Sequence, residues 1–219
     1  MVNINIDIVS DVVCPWCVIG YENLKKAIKN LEKEMEISVS WRPFELHPEI
    51  PEEGYDKELY MKQKFGNSSK SNFVDQIKQI GKDLDFDFNI SKSKLVPNTF
   101  KAHRLIWSIQ SQIKQTELSE ALFYAHFTEG RDVGSTEVLS NIAEEIGLNK
   151  DETIKFLNSK KGGKEVADLE IEAMESAITS VPTYIINNRF ILHGGQEPAT
   201  FVSFLKRVET IIQKESKTT

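Results

Sequence analysis

The sequence predicts an α/β fold in which a βαβ half and a ββα half flank a long helical insertion. Three observations carry that prediction. Apolar residues alternate with polar ones near both ends of the chain, apolar residues recur at helical spacing between them, and prolines and glycines punctuate the changes of pattern.

The elements follow in order. Val2, Ile4, Ile6 and Ile8 alternate with Asn3, Asn5 and Asp7, which is the period of a strand. Tyr21, Leu24, Ile28, Leu31 and Met35 are spaced by threes and fours and make one helix face. Ile37, Val39 and Trp41 alternate again. Strand, helix and strand at this spacing predict parallel strands joined by a right-handed crossover. Pro43, Pro48, Pro51 and Gly54 then take the chain out of the sheet.

From about Tyr55 to Ser176 the pattern is mostly helical, with Asn98 and Ser135 as candidate N-caps. The stripe Leu139, Ile142, Ala143 and Ile146 stops at Gly147, and a short helix with Ile154 and Leu157 ends near Gly162 and Gly163. Val166, Glu170, Ala173, Met174 and Ala177 share one helical side, which Glu170 weakens. The polar stretch Asn67 to Asn72 predicts a flexible loop.

Strand character returns after Pro182. Tyr184, Ile185 and Ile186 meet Phe190, Ile191 and Leu192 across Asn187-Asn188, a pair that tolerates positive φ and predicts a tight hairpin. Pro198 opens a final helix with Phe201, Leu205, Val208 and Ile212 on one face, and Lys214 and Lys217 fall in a tail expected to fray. The predicted division is a discontinuous sheet domain of residues 1–54 and 177–219 around an inserted helical domain of residues 55–176.

Composition narrows the function classes. The 219 residues are 40% hydrophobic, enough for a sizeable core. Net charge is −6 with both signs spread along the chain, which argues against a nucleic-acid binder. No apolar run approaches the ~20 residues of a membrane span. Met1 leads straight into a strand pattern without a basic or apolar leader, so the expected compartment is the cytoplasm.

Cys14-Pro15-Trp16-Cys17 carries the chemistry. These are the only two cysteines, and they stand where the first strand gives way to the first helix. The unpaired N–H groups and partial positive charge of a helix N-terminus stabilise a thiolate there. Two intervening residues bring the second sulfur round one turn, within disulfide reach. Pro15 suits the first turn because its missing N–H is not needed there. Cys14 is assigned as the exposed nucleophile and Cys17 as the buried resolving thiol. A zinc site would need about four ligands, and His47, His103, His126 and His193 are widely scattered. Phe123, Tyr124 and Phe127 are read as core.

The element order with this motif is that of a thioredoxin fold, and the helical insertion resembles the DsbA family. The match is sharpest to its FrnE-like, largely cytosolic branch. It rests on Asp11 through Cys17 with Ile19-Gly20, on Arg42-Pro43-Phe44-Glu45-Leu46-His47-Pro48, on Val96-Pro97-Asn98-Thr99 with Ala102-His103-Arg104, and on Ser180-Val181-Pro182-Thr183. The resemblance implies that Pro182 is a cis proline facing the cysteines. It implies also that the Val181 backbone pairs with an extended substrate and that the proline keeps metals away. The residues alone would make Pro182 a trans loop proline before a strand.

One departure stands out. The resemblance leads to a buried carboxylate six residues before the first cysteine, and that position is Ile8. Asp11 is the nearest acid, and it has two readings: a cap for the turn or helix, or a group that tunes Cys14 and relays protons. Pro15 and Trp16 bring no positive charge between the cysteines, which predicts an intermediate or reducing potential. Trp16 is expected to be partly exposed, either touching substrate or shielding Cys17. His103 and Arg104 either hold an anionic substrate such as glutathione or serve the structure; His193 is expected near the sheet end.

The resemblance implies a protein disulfide oxidoreductase acting on protein or small-molecule thiols and disulfides. A recycling thiol system completes the cycle, no metal or organic cofactor is called for, and glutathione is a candidate co-substrate. No nucleic-acid or membrane partner is expected, and the chain is a monomer or homodimer. The alternatives are a glutathione-dependent isomerase or transferase of the 2-hydroxychromene-2-carboxylate isomerase or kappa type, and a redox-responsive binding protein or chaperone.

Overall fold

The computed structural model describes residues 2–65 and 71–218. Its centre is a four-stranded sheet in the order β2-β1-β5-β6, made by β1 (Val2–Ser10), β2 (Met35–Pro43), β5 (Thr183–Ile186) and β6 (Phe190–His193). β1 runs parallel to β2 and antiparallel to β5, and β5 and β6 form an antiparallel hairpin. The alternation in β1 does what its period dictates: Ile4, Ile6 and Ile8 are buried while Asn3 and Asn5 face water. Asn187 and Asn188 both take positive φ, the turn that matches strand twist.

α1 (Pro15–Leu31) crosses one face of the sheet beside α9 (Pro198–Thr218). Cys17, Tyr21, Leu24, Ala27 and Leu31 are buried from α1, and Phe201, Leu205 and Val208 from α9. Met35 is not the last residue of the helical face; the helix stops at Leu31 and Met35 opens β2, still buried. Pro43 does not break the pattern either. It closes β2, an edge strand, where a missing N–H is tolerated. The expected frayed tail is helical through Thr218, with Glu215 paired to Arg189.

Between β2 and β5 the chain is mostly helical: α2 (Lys57–Phe65), α3 (Ser71–Leu84), α4 (Phe100–Ser108), α5 (Gln112–Tyr124), a π-helical turn (Ala125–Glu129), α6 (Thr136–Glu145), α7 (Lys150–Leu157) and α8 (Gly163–Glu175). A ribbon of two-residue strands, β3 (Tyr55–Asp56) and β4 (Leu95–Val96), was not anticipated. Of the predicted loop, residues 67–70 lie outside the described residues, and Ser71 and Asn72 open α3. Ser135 caps α6, its Oγ accepting from Val138 N at 3.4 Å. The cap position before α4 is Thr99 rather than Asn98, although Asn98 Oδ1 accepts from Phe100 N at 3.1 Å. Met174 and Ala177 are exposed, unlike their predicted stripe partners Val166 and Ala173. Tyr124 is also exposed, whereas Phe123 and Phe127 are core.

The insertion shares the core of the sheet. Trp41 of β2 meets Tyr21 of α1 at 5.0 Å between ring centroids and Phe123 of α5 at 5.8 Å. Its indole N–H donates to Thr116 Oγ1.

Candidate active site at the start of the first helix

The β1–α1 turn presents Cys14 as the N-cap of α1, with extended backbone at φ −93 and ψ 113, and Pro15 follows in the first turn. Cys14 N donates to Asp11 O at 3.1 Å, and Cys17 N donates to Cys14 O at 3.0 Å. Both cysteines are free thiols. Cys14 is not the open thiol expected. It is only 3% exposed, against 1% for Cys17, because the loop before β5 covers it. Its Sγ donates to Val181 O at 3.7 Å.

The Val181–Pro182 bond is cis and Pro182 is buried. Pro182 O accepts from Gly194 N at 2.8 Å, which ties this loop to the end of β6. Trp16 is half-buried, and Gly195 packs so closely that a Cβ there would stand 3.1 Å from Trp16 O. His193 finds a partner in Thr183 Oγ1, 3.0 Å from its Nδ1.

Burial pushes the Cys17 thiol up, and the hydrogen bond and charge of Cys14 push the same way. The Ser10 hydroxyl and the Asp11 backbone N–H act in the opposite direction.

Asp11 is fully buried behind the turn. Its Oδ2 accepts from Leu46 N at 2.7 Å and its Oδ1 from Val13 N at 3.4 Å. The carboxylate therefore braces the cysteine turn against the exit of β2. His103 Nε2 of α4 lies 3.3 Å from Asp11 Oδ1, an ion-pair contact without hydrogen-bond alignment. Burial pulls the His103 imidazole down, but Asp11 outweighs it and the net direction is up. Glu45 belongs to the same cluster, pushed up to about 7 by burial and by the charge of Glu170. Burial raises Glu170 as well.

Arg104 does not face this cluster or solvent. It is buried, and its guanidinium donates to the carbonyls of Phe156, Leu157, Ser159 and Lys161. Arg104 thus ties α4 to the end of α7, and His103 is buried against Asp11.

Sequence reasoning missed Glu45 and Glu170 as partners of Asp11, and Ser10 and Tyr184 as neighbours of Cys17. Glu170 had left one trace, a charge interrupting an apolar stripe. Ile8 is buried in β1 opposite Tyr184 of β5, so an apolar side chain fills that position. Among the described residues no three or more His, Cys, Asp or Glu side chains converge as a metal site. No helix among them is long and apolar enough to cross a membrane.

A four-stranded sheet interrupted by a helical insertion, with paired thiols at its first helix, defines an enzyme of the thioredoxin-fold oxidoreductase or related isomerase class. The family model described as DSBA-like thioredoxin domain matches residues 5–206, and the chain belongs to that family. It is 28% identical over 193 residues to the uncharacterized protein YwbO of Bacillus subtilis (strain 168), covering 86% of this chain and 89% of YwbO. Its fold is similar to the probable DsbA oxidoreductase SCO1869 from Streptomyces coelicolor, with a TM-score of 0.83 and 24% identity over 93% of this chain and 89% of that one. A 2-hydroxychromene-2-carboxylate isomerase is similar at a TM-score of 0.70 and 11% identity, over 98% and 99% of the two chains.

Proposed function

We propose that the protein is a thiol–disulfide oxidoreductase whose working group is the Cys14–Cys17 pair. The observation that carries this reading is the position of both sulfurs at the start of α1, with Val181 O against the first. The Cys14 thiolate attacks a substrate disulfide and breaks its S–S bond: one sulfur stays in a mixed disulfide with Cys14 and the other leaves as a thiolate. Cys17 then attacks Cys14 Sγ, forming the Cys14–Cys17 bond and releasing the substrate as a thiol. Run backwards, the oxidised pair takes two electrons from a substrate dithiol.

Trp16 and the Val181–Pro182 loop border Cys14 and would contact the substrate, with the Val181 backbone meeting an extended peptide. Asp11 holds the turn. Substrates are proteins or small thiols, a glutathione-type pool recycles the pair, and the cytoplasm is the working compartment. The pair itself needs no organic cofactor.

The isomerase reading draws on the fold likeness alone. An intact second thiol one turn from the first favours exchange over it. The test is the equilibrium potential of the pair, read by thiol trapping across glutathione buffers. Pro15 and Trp16 add no positive charge, so the expected value falls between about −180 and −270 mV. Cys17→Ser should arrest turnover as a stable mixed disulfide on Cys14. Absence of any intramolecular disulfide, together with full turnover by Cys17→Ser, would replace this reading with the isomerase one.

A further inference from the structure

Six buried side-chain polar atoms lack a hydrogen-bond partner among the described residues: Ser10 Oγ, Glu45 Oε1, His103 Nε2, His126 Nδ1, Glu170 Oε1 and Tyr184 Oη. Each such atom costs roughly 1–3 kcal/mol, so its place needs a reason. Glu45, His103 and Glu170 share the cluster around Asp11. Tyr184 and Ser10 are different: the Tyr184 hydroxyl lies against α1 at Gly20, one turn beyond Cys17, and Ser10 closes β1 just before the cysteine turn.

Tyr184 stands on β5 directly across from Ile8, and it is fully buried. Its ring is held edge-on against Phe201 of α9 at 4.8 Å. Its oxygen reaches α1 at Gly20, where a Cβ would collide with Oη and stand 3.1 Å from Pro182 Cγ. Gly20 is three residues beyond Cys17, on the same side of the helix. The phenol therefore enters the layer between α1 and β5 in which Cys17 is enclosed. Ser10 is the last residue of β1, its buried hydroxyl is unpartnered, and it favours the charged form of Cys17.

Resolution of a mixed disulfide requires negative charge to develop on the Cys17 sulfur, in a place sealed from water. A buried anion needs donors. Burial holds the Tyr184 phenol in its neutral form, and charge on Cys17 and Cys14 reinforces this. The phenol thus keeps the proton it would donate.

We propose that the Tyr184 and Ser10 hydroxyls are the donors that stabilise the Cys17 sulfur as it becomes the resolving nucleophile. The inference rests on the dithiol reading above. In the step, Cys17 loses its proton and its sulfur bonds to Cys14 Sγ. The bond from Cys14 to the substrate sulfur breaks, and the leaving sulfur takes up a proton. The pair is oxidised and the substrate reduced by two electrons. Neither hydroxyl changes its covalent bonds; both act through Cys17 and are positioning residues.

A dithio-bis-nitrobenzoate probe separates the two steps. Attack by Cys14 releases one coloured thiolate, and attack by Cys17 releases the second. Tyr184→Phe should leave the first release within about twofold and slow the second roughly tenfold, the effect of one hydrogen bond to a charged acceptor. Ser10→Ala should act in the same direction. In both, the pH midpoint of the second release should rise while that of the first stays in place. The titratable groups bearing on that midpoint are Cys17 itself, Cys14 on α1 and Tyr184 on β5. A second release at the parent rate and midpoint in both variants overturns the proposal. Loss of an orphaned hydroxyl alone would leave both rates unchanged while holding or raising the melting temperature. Should Tyr184→Phe not fold, Ser10→Ala decides by the same criteria. An unaltered protein that gives no second release sinks the dithiol mechanism itself, a distinct result.

Discussion

Glu45 and His103 make the buried cluster a source of pH dependence. Both hold their protons to higher pH in the folded protein than in the unfolded chain. Their contribution to stability is complete below the unfolded pKa of each group and is lost as pH rises through the folded one. For Glu45 that window runs from the ordinary carboxyl value of 4.5 to about 7. The folded state binds more protons there, so stability falls with rising pH. Glu45→Gln should remove this penalty. Glu45 is only half-buried, so water screens part of the effect, leaving a gain of about 1 kcal/mol at pH 8, or roughly 3 °C in Tm. Thermal melts at pH 4 and pH 8 check it, and an equal difference at both pH values would count against it. At this scale the motif residues were legible because spacing alone defines them. Asp11 was legible as a cap for the turn, which its bond from Val13 N makes it, but its bond from Leu46 N was not. Its partners were not, because Glu45, His103 and Glu170 come from three separate segments that only the fold brings together.

α1 lies on β5 with no room to spare at Gly20. Gly20→Ala would drive a methyl group into the Tyr184 phenol, Pro182 and the Gly195 backbone. The expected cost is about 2–3 kcal/mol, in the range of overpacked cores. Tyr184→Phe in the same molecule should return roughly half of it, since the phenol oxygen is the nearest obstacle. Denaturant melts of the two single variants and the double variant measure this coupling, and strict additivity would show that the two groups do not meet. β1, β2 and the two sheet helices were legible because each repeats its period, and the β5–β6 hairpin because Asn187-Asn188 separates two apolar runs. β3 and β4 have two residues each, too few to show any period. The end of α9 looked like a polar tail because nothing apolar follows Ile212, yet the helix continues with Gln213 donating to Glu209.

Across the whole molecule, the insertion is fastened by more than its apolar core. Arg104 of α4 gathers the carbonyls of the segment that joins α7 to α8. α8 in turn feeds the loop that carries Val181 and Pro182. Arg104→Ala should strand those carbonyls and cost about 3 kcal/mol, or roughly 9 °C in Tm. Arg104→Lys should recover only a minor part, because an ammonium group cannot reproduce the planar fork. Calorimetry of both variants gives the answer, and a full rescue by lysine would show that charge alone suffices. The order of elements was legible in outline, since strand patterns stand near both ends of the chain and helical spacing fills the stretch between them.

The position of β5 in the chain also sets a timetable. β1 lies between β2, made soon after it, and β5, made about 170 residues later. At ribosomal speeds that interval is roughly 10 to 35 seconds. Throughout it, β1 has an unpaired edge, and neither Val181 nor Tyr184 yet exists to cover the cysteines. The thiols are synthesised long before the segment that encloses them. A nascent chain therefore offers both sulfurs to passing oxidants before the finished fold can choose among them.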